Sequence, residues 1–199
     1  MTDVIVFDLY GVIAHPHSEQ AESDIAELAG VPKEPFWEAY WACRPEYDLG
    51  LDGGAYWEKV ARRLGTQFPD LATLTETDVA ALSHSDPEMV TLVEDLAREG
   101  RTLGILSNIV EDVVPVWEKQ EWMKHFSVRT YSCRIGVIKP DPRAYEAVAR
   151  ELGVATEQVL FFDDREENVL AARSVGMAAE VFTSAAQVRE VVGTTPPTW

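Results

Sequence analysis

Cysteine is nearly missing from this chain: Cys43 and Cys133 are the only two in 199 residues. Two thiols so far apart build neither a disulfide framework nor a thiolate metal cluster. Long apolar runs are missing too, and no stretch nears the roughly 20 residues that cross a bilayer. The opening MTDVIVFDLYG has neither a basic region nor a small-residue cleavage site. The expectation is a cytoplasmic protein with no membrane partner. Basic residues are scarce, with 17 Lys and Arg against 34 Asp and Glu, a formal net charge of -17. Such a field repels nucleic acid. It also repels an anionic substrate unless local positive groups or a bound cation intervene. Internal repeats and low-complexity tracts are absent as well.

What remains is the composition of a globular protein, 46% hydrophobic and 26% charged. Its length suits one domain, or a core with a small insert. Val4–Phe7 is a short apolar run that predicts a strand buried on both faces. The run stops at the carboxylate of Asp8, and Gly11 marks a tight turn. Chemistry in open parallel sheets gathers at the carboxyl ends of strands, so Asp8 is a candidate site residue.

Residues from Glu19 to Ser83 read as helical throughout. Glu19–Leu28 has helical apolar spacing and closes at Gly30. An aromatic helix over Phe36–Arg44 is expected to end at Pro45, followed by a turn over Asp48–Gly54. Ala55–Gly65 and Leu71–Ser83 follow as helices, the latter opening after Thr75. Most of the rings are expected to pack on one another. Arg44 stands apart, placed to reach a cationic head over a ligand. His15 and His17, in the loop before this block, could face a site.

After Pro87 strands and helices alternate. Strands are predicted at Thr102–Leu106, Phe126–Ser132, Val159–Phe162 and Ala178–Phe182. Helices are predicted at Met89–Glu99, Glu111–Gln120, Arg143–Leu152, Glu167–Val175 and Ala185–Val192, with TTPPTW as a tail. The pattern is that of an α/β, Rossmann-like doubly wound parallel sheet with an inserted helical cap. The expected division is residues 1–14 and 86–199 for the core and 15–85 for the cap.

In such a sheet Asp8, Ser107 and the Asp163–Asp164 pair end three strands along one edge, with Lys139 held before a helix by Pro140. Carboxylates about 4 Å apart repel by about 4 kcal/mol per pair at an effective dielectric near 20. Lys139 offsets only one charge. Clustered carboxylates without His or Cys select hard cations, and Mg2+ is the natural choice. Such an ion would bring a phosphate to Asp8, which could attack phosphorus. Ser107 and Lys139 could hold the phosphoryl oxygens.

Four ordered motifs, FDLYGV at Phe7–Val12, LSN at Leu106–Asn108, KPDP at Lys139–Pro142 and FFDDREEN at Phe161–Asn168, make the chain resemble the haloacid dehalogenase-like hydrolase superfamily. The resemblance implies a helical cap over a Rossmann-like core. It implies Asp8 as nucleophile, Ser107 and Lys139 as phosphoryl-binding groups, and Asp163 as a metal ligand with Asp164 in or near the second shell. The Tyr10 carbonyl would be the remaining protein ligand. Asn108 and Arg44 complete the expected substrate-binding set. The implied activity is Mg2+-dependent hydrolysis of a small phosphorylated metabolite.

One departure stands out. The superfamily's phosphatases usually carry a general acid–base Asp two residues after the nucleophile, and here that place is Tyr10, whose phenol is a poor base at neutral pH. Tyr10 also fits the metal-independent 2-haloacid dehalogenases, although Asp163 and Asp164 would repel a haloacid's carboxylate. A third reading is a non-catalytic protein that binds phosphoryl ligands.

Overall fold

The computed structural model describes residues 4–193. The expected tail, TTPPTW, lies outside them. Five parallel strands form one sheet: β1 (Val4–Phe7), β2 (Thr102–Ser107), β3 (Phe126–Tyr131), β4 (Val159–Asp163) and β5 (Ala178–Val181). Their order across the sheet is β3-β2-β1-β4-β5. The first strand in sequence is therefore the middle one. Phe7 pairs with Ile105 on one side and with Phe162 on the other. This register carries the chain past Phe7 with Asp8 beside Phe162, whose carbonyl accepts from the Asp8 amide at 2.9 Å.

Ile5, Val6 and Phe7 are fully buried, as a strand covered on both faces requires. Alternate side chains divide between two cores. Ile5, Phe7, Leu103, Ile105 and Phe162 point to one face, where α5 (Pro87–Arg98) and α10 (Ala185–Val192) lie. Val6, Leu106, Val159 and Phe161 point to the other, against α8 (Pro142–Leu152) and α9 (Glu166–Ser174). The fold is the α/β arrangement expected from the alternation.

Between β1 and α5 the chain forms four helices: α1 (Glu19–Ala29), α2 (Lys33–Asp48), α3 (Gly53–Arg63) and α4 (Leu71–Ala81). The aromatic rings mostly pack on one another, as expected. Tyr47 stacks on Tyr56 with centroids 4.1 Å apart, and Phe36 faces Trp57 at 6.3 Å. Trp41 meets Tyr40 edge-on at 5.0 Å but stays 53% exposed.

Several boundaries differ from expectation. Pro45 does not end the aromatic helix. It lies in the last turn of α2, where its missing N–H forfeits one bond. The helix runs on to Asp48, and the Leu49 amide donates to the Pro45 carbonyl at 3.2 Å. Asp48 is therefore helical and buried, not part of a turn. Helix α4 opens at Leu71 rather than after Thr75, because the Asp70 side chain accepts from the Thr73 amide at 3.0 Å and caps it. The helix expected over Glu111–Gln120 is the shorter α6 (Val114–Glu118), with Pro115 in its first turn, where proline belongs. A one-turn helix, α7 (Ser132–Ile135), follows β3 directly. Among the described residues no helix is long and apolar enough to cross a membrane.

Candidate active site

Three strand ends meet at one edge of the sheet. Asp8 leaves β1, Ser107 ends β2 and Asp163 ends β4. Lys139 enters between them. Its Nζ donates to Asp8 Oδ1 at 2.8 Å and to Asp163 Oδ2 at 2.7 Å, and all three residues are buried. Asp163 Oδ1 accepts from the Arg165 amide and from Asn168 Nδ2, each at 2.9 Å. One oxygen each of Asp8, Asp163 and Asp164 lies within 4.8 Å of the others.

One ammonium does not balance three carboxylates, and the acids respond. Burial raises the Asp8 carboxyl to about 7, with Lys139 pulling it down and Asp163 pushing it up. Burial, then the charge of Asp163, raises Asp164 above the usual carboxylate range. Burial alone would lower Lys139, but the charges of Asp8 and Asp163 outweigh it and hold the ammonium above its ordinary value.

The donor set fits a hard divalent ion: three carboxylates and no thiol or imidazole. Among the described residues no donor reaches the Tyr10 carbonyl, which leaves it available as a further oxygen. Gly11 permits the close approach of Asp164. Its φ is +79°, and a Cβ placed there would stand 2.4 Å from Asp164 Oδ2. Ser107 supplies a second sign of a missing partner. Its hydroxyl is buried with no hydrogen bond among the described residues, which is costly unless a ligand completes it.

Two of the expected site residues make hydrogen bonds of their own. The Tyr10 hydroxyl donates to the Leu82 carbonyl at 3.3 Å and accepts from Trp117 Nε1 at 3.0 Å. Burial lifts its phenol far above the ordinary value. The hydroxyl ties α6 to the end of α4. Asn108 turns its amide to the main chain of Lys139. Nδ2 donates to the Lys139 carbonyl at 2.9 Å, and Oδ1 accepts from the Lys139 amide at 2.8 Å. The two bonds fix the main chain at Lys139, which lines the cavity described below.

A cavity of about 210 Å³ opens above this edge, with Asp8, Lys139 and Asp164 on its floor. Its far wall comes from the four-helix block and the loop before it: Trp41, Arg44, Asp48 and His17. Arg44 does reach the cavity, from within α2. Its Nε donates to Asp48 Oδ1 at 2.8 Å, its Nη1 donates to the Tyr40 hydroxyl at 2.6 Å, and the guanidinium lies over the Trp41 ring. His17 lies 2.8 Å from Asp78 Oδ1 through Nε2. Asp48, Asp78, Trp117 and Asn168 were not singled out from the sequence. Asn168 had a signal, its place in the same FFDDREEN motif as Asp163. Asp78, 61 residues from His17, had none.

A family model described as haloacid dehalogenase-like hydrolase matches residues 2–176. The chain belongs to the haloacid dehalogenase-like hydrolases. This hydrolase is 30% identical over 198 residues to the phosphatase MT3486 of Mycobacterium tuberculosis, covering 94% of this chain and 90% of that one. It shares its fold with the HAD family enzyme BT-2542 of Bacteroides thetaiotaomicron, solved in complex with magnesium and inorganic phosphate. There the TM-score is 0.75 at 16% identity, over 93% of this chain and 98% of that one. It shares it also with the L-2-haloacid dehalogenase of Xanthobacter autotrophicus, solved with chloropropionic acid covalently bound. That TM-score is 0.70 at 22% identity, over 98% of this chain and 84% of the dehalogenase. The two structural likenesses speak to the fold alone.

Proposed function

We propose that this hydrolase is a Mg2+-dependent phosphomonoesterase acting on a small phosphorylated metabolite, with Asp8 as the nucleophile. The observation that carries the reading is the Asp8, Asp163 and Asp164 cluster, which a single lysine leaves under-neutralised. Asp8, Asp163 and the Tyr10 carbonyl would hold the ion, with Asp164 beside them. When bound, Mg2+ supplies the positive charge that lets a phosphate approach an acidic chain.

The chain's own residues do the rest. An oxygen of Asp8 attacks phosphorus in line with the departing oxygen and forms an aspartyl-phosphate, which water then cleaves. The Ser107 hydroxyl donates to a phosphoryl oxygen, which satisfies the hydrogen bond it lacks. Lys139, fixed through its main chain by Asn108, stabilises charge on those oxygens as it builds. Residues 15–85 act as a cap that closes the cavity from above and presents Arg44 to the rest of the substrate. Kinship with MT3486, a phosphatase, supports the reading.

The likeness to a dehalogenase, together with Tyr10, is what a 2-haloacid substrate has in its favour. Against it, such a substrate would bring a carboxylate against Asp163 and Asp164. The test is release of phosphate from an aryl phosphate and a metabolite panel with Mg2+. EDTA and Asp8→Asn should each lower it about 10³-fold or more. Metal-independent chloride release from 2-chloropropionate would overturn the proposal in favour of a dehalogenase. Tight phosphate binding without turnover would overturn it in favour of a binding protein.

A further inference from the structure

An alkyl phosphate needs a proton for its departing oxygen, and at the sheet edge neither Tyr10 nor Lys139 is free to give one. The Tyr10 phenol is engaged on both sides. Lys139 is shared between two carboxylates. Across the cavity stands His17, in the loop before α1. Its side chain is 3% exposed and that of Asp78 is 2% exposed, with Nε2 to Oδ1 at 2.8 Å. Its ring packs against Trp37 at 4.8 Å and meets Tyr40 edge-on at 5.8 Å. The Tyr40 hydroxyl, which accepts from Arg44, gives its own proton to Asp78 at 3.1 Å. Both the partner carboxylate and the ring plane are therefore fixed. Nδ1 makes no hydrogen bond among the described residues, and His17 lines the cavity that holds Asp8. An imidazole pinned through one nitrogen by a buried carboxylate, with the other nitrogen free, is the arrangement that hands protons on.

We propose that His17, oriented by Asp78, is the general acid and base of the reaction, in place of the carboxylic acid that Tyr10 displaces. The inference rests on the phosphomonoesterase reading. In the first step the Asp8 carboxylate forms a bond to phosphorus and the bond from phosphorus to the ester oxygen breaks. That oxygen takes the Nδ1 proton and leaves as an alcohol, and His17 becomes neutral. In the second step Nδ1 takes a proton from water as its oxygen bonds to phosphorus. Asp8 departs as carboxylate, and the imidazolium is restored with release of phosphate. The Nε2 proton stays on the ring throughout, donated in a hydrogen bond to the Asp78 carboxylate. The charged groups around the ring are Asp78, Arg44 and Asp48 on its own side, and Asp8, Lys139, Asp164 and Arg165 across the cavity.

A general acid matters most when the leaving group is poor, which separates this role from a structural one. The experiment measures kcat/KM with Mg2+ on glycerol 2-phosphate and on 2,4-dinitrophenyl phosphate. His17→Asn should lose about 100-fold or more on the alkyl ester and no more than about fivefold on the aryl ester. Asp78→Asn should shift the ratio in the same direction by less. His17→Gln, whose amide can still bond Asp78, should match His17→Asn, with melting temperatures read beside the kinetics. Equal losses on both esters, no loss on the alkyl ester, or recovery of alkyl activity in His17→Gln would overturn the inference. So would a wild-type enzyme that cleaves the aryl ester and not the alkyl one. Full aryl phosphatase activity in Asp8→Asn would instead overturn the underlying reading.

Discussion

Lys139 is the residue on which the charge balance of the site turns. It is buried between Asp8 and Asp163 and bonded to both. Lys139→Met leaves two carboxylates facing each other without a cation. In EDTA the variant should lose about 3–5 kcal/mol of stability, read from urea denaturation at pH 8, and Mg2+ should restore part of it. Cys133 offers a contrasting case. Burial, then its bond to Glu111, pushes its thiol up to about 12. Only the thiolate reacts, so Cys133 should react with a disulfide reagent at pH 8 about 10³-fold more slowly than a free thiol. Glu111→Gln should speed it. The residues legible in the sequence were those that end apolar runs, Asp8, Ser107 and Asp163, because strand periodicity alone places them. The pairs His17 with Asp78 and Arg44 with Asp48 were not so visible. The first joins positions in different elements, and the second needed α2 to run past Pro45.

Among the elements, the turn after β1 is the most constrained. Gly11 has a left-handed backbone, and a methyl group there collides with Asp164. Gly11→Ala should cost roughly 1–3 kcal/mol from backbone strain. It should also weaken Mg2+ binding measured by calorimetry, since Asp164 must move. The strands were readable from sequence nearly to the residue, the inner ones β1 and β4 because they are apolar runs buried on both faces. Helix starts were less readable. Asp70 and Asp52 cap α4 and α3, but an isolated Asp in a polar stretch does not announce a cap. The lengths of α2 and α6 depended on where each proline fell within the helix.

For the whole molecule, two consequences follow from charge. Asp8 holds its proton up to about pH 7 in the fold against an ordinary value of 3.8. A raised carboxyl stabilises the fold below the unfolded value and loses that contribution as pH rises through the folded one. Through this group, the metal-free protein should become less stable between about pH 4 and 7. Mg2+ requires the deprotonated form, so the rise in melting temperature on adding Mg2+ should grow over the same window. Thermal melts at pH 5, 6, 7 and 8, with Mg2+ and with EDTA, check both. The net charge of -17 acts at longer range. For a dianionic substrate, kcat/KM should rise between 10 and 150 mM salt as the repulsive field is screened.

The central position of β1 has a bearing on how the protein comes into being. Val4 waits for Thr102 and Val159, 98 and 155 positions further along by subtraction (102 − 4, 159 − 4). At about 5–20 residues per second of synthesis, the strand that leads into Asp8 spends roughly 8–30 seconds outside the ribosome before both its neighbours exist. The helices of residues 19–81 pair locally and can settle meanwhile. An apolar ribbon with two open edges is thus exposed on every nascent copy, and the edge that gathers Asp8, Ser107 and Asp163 is assembled only once β4 has been made.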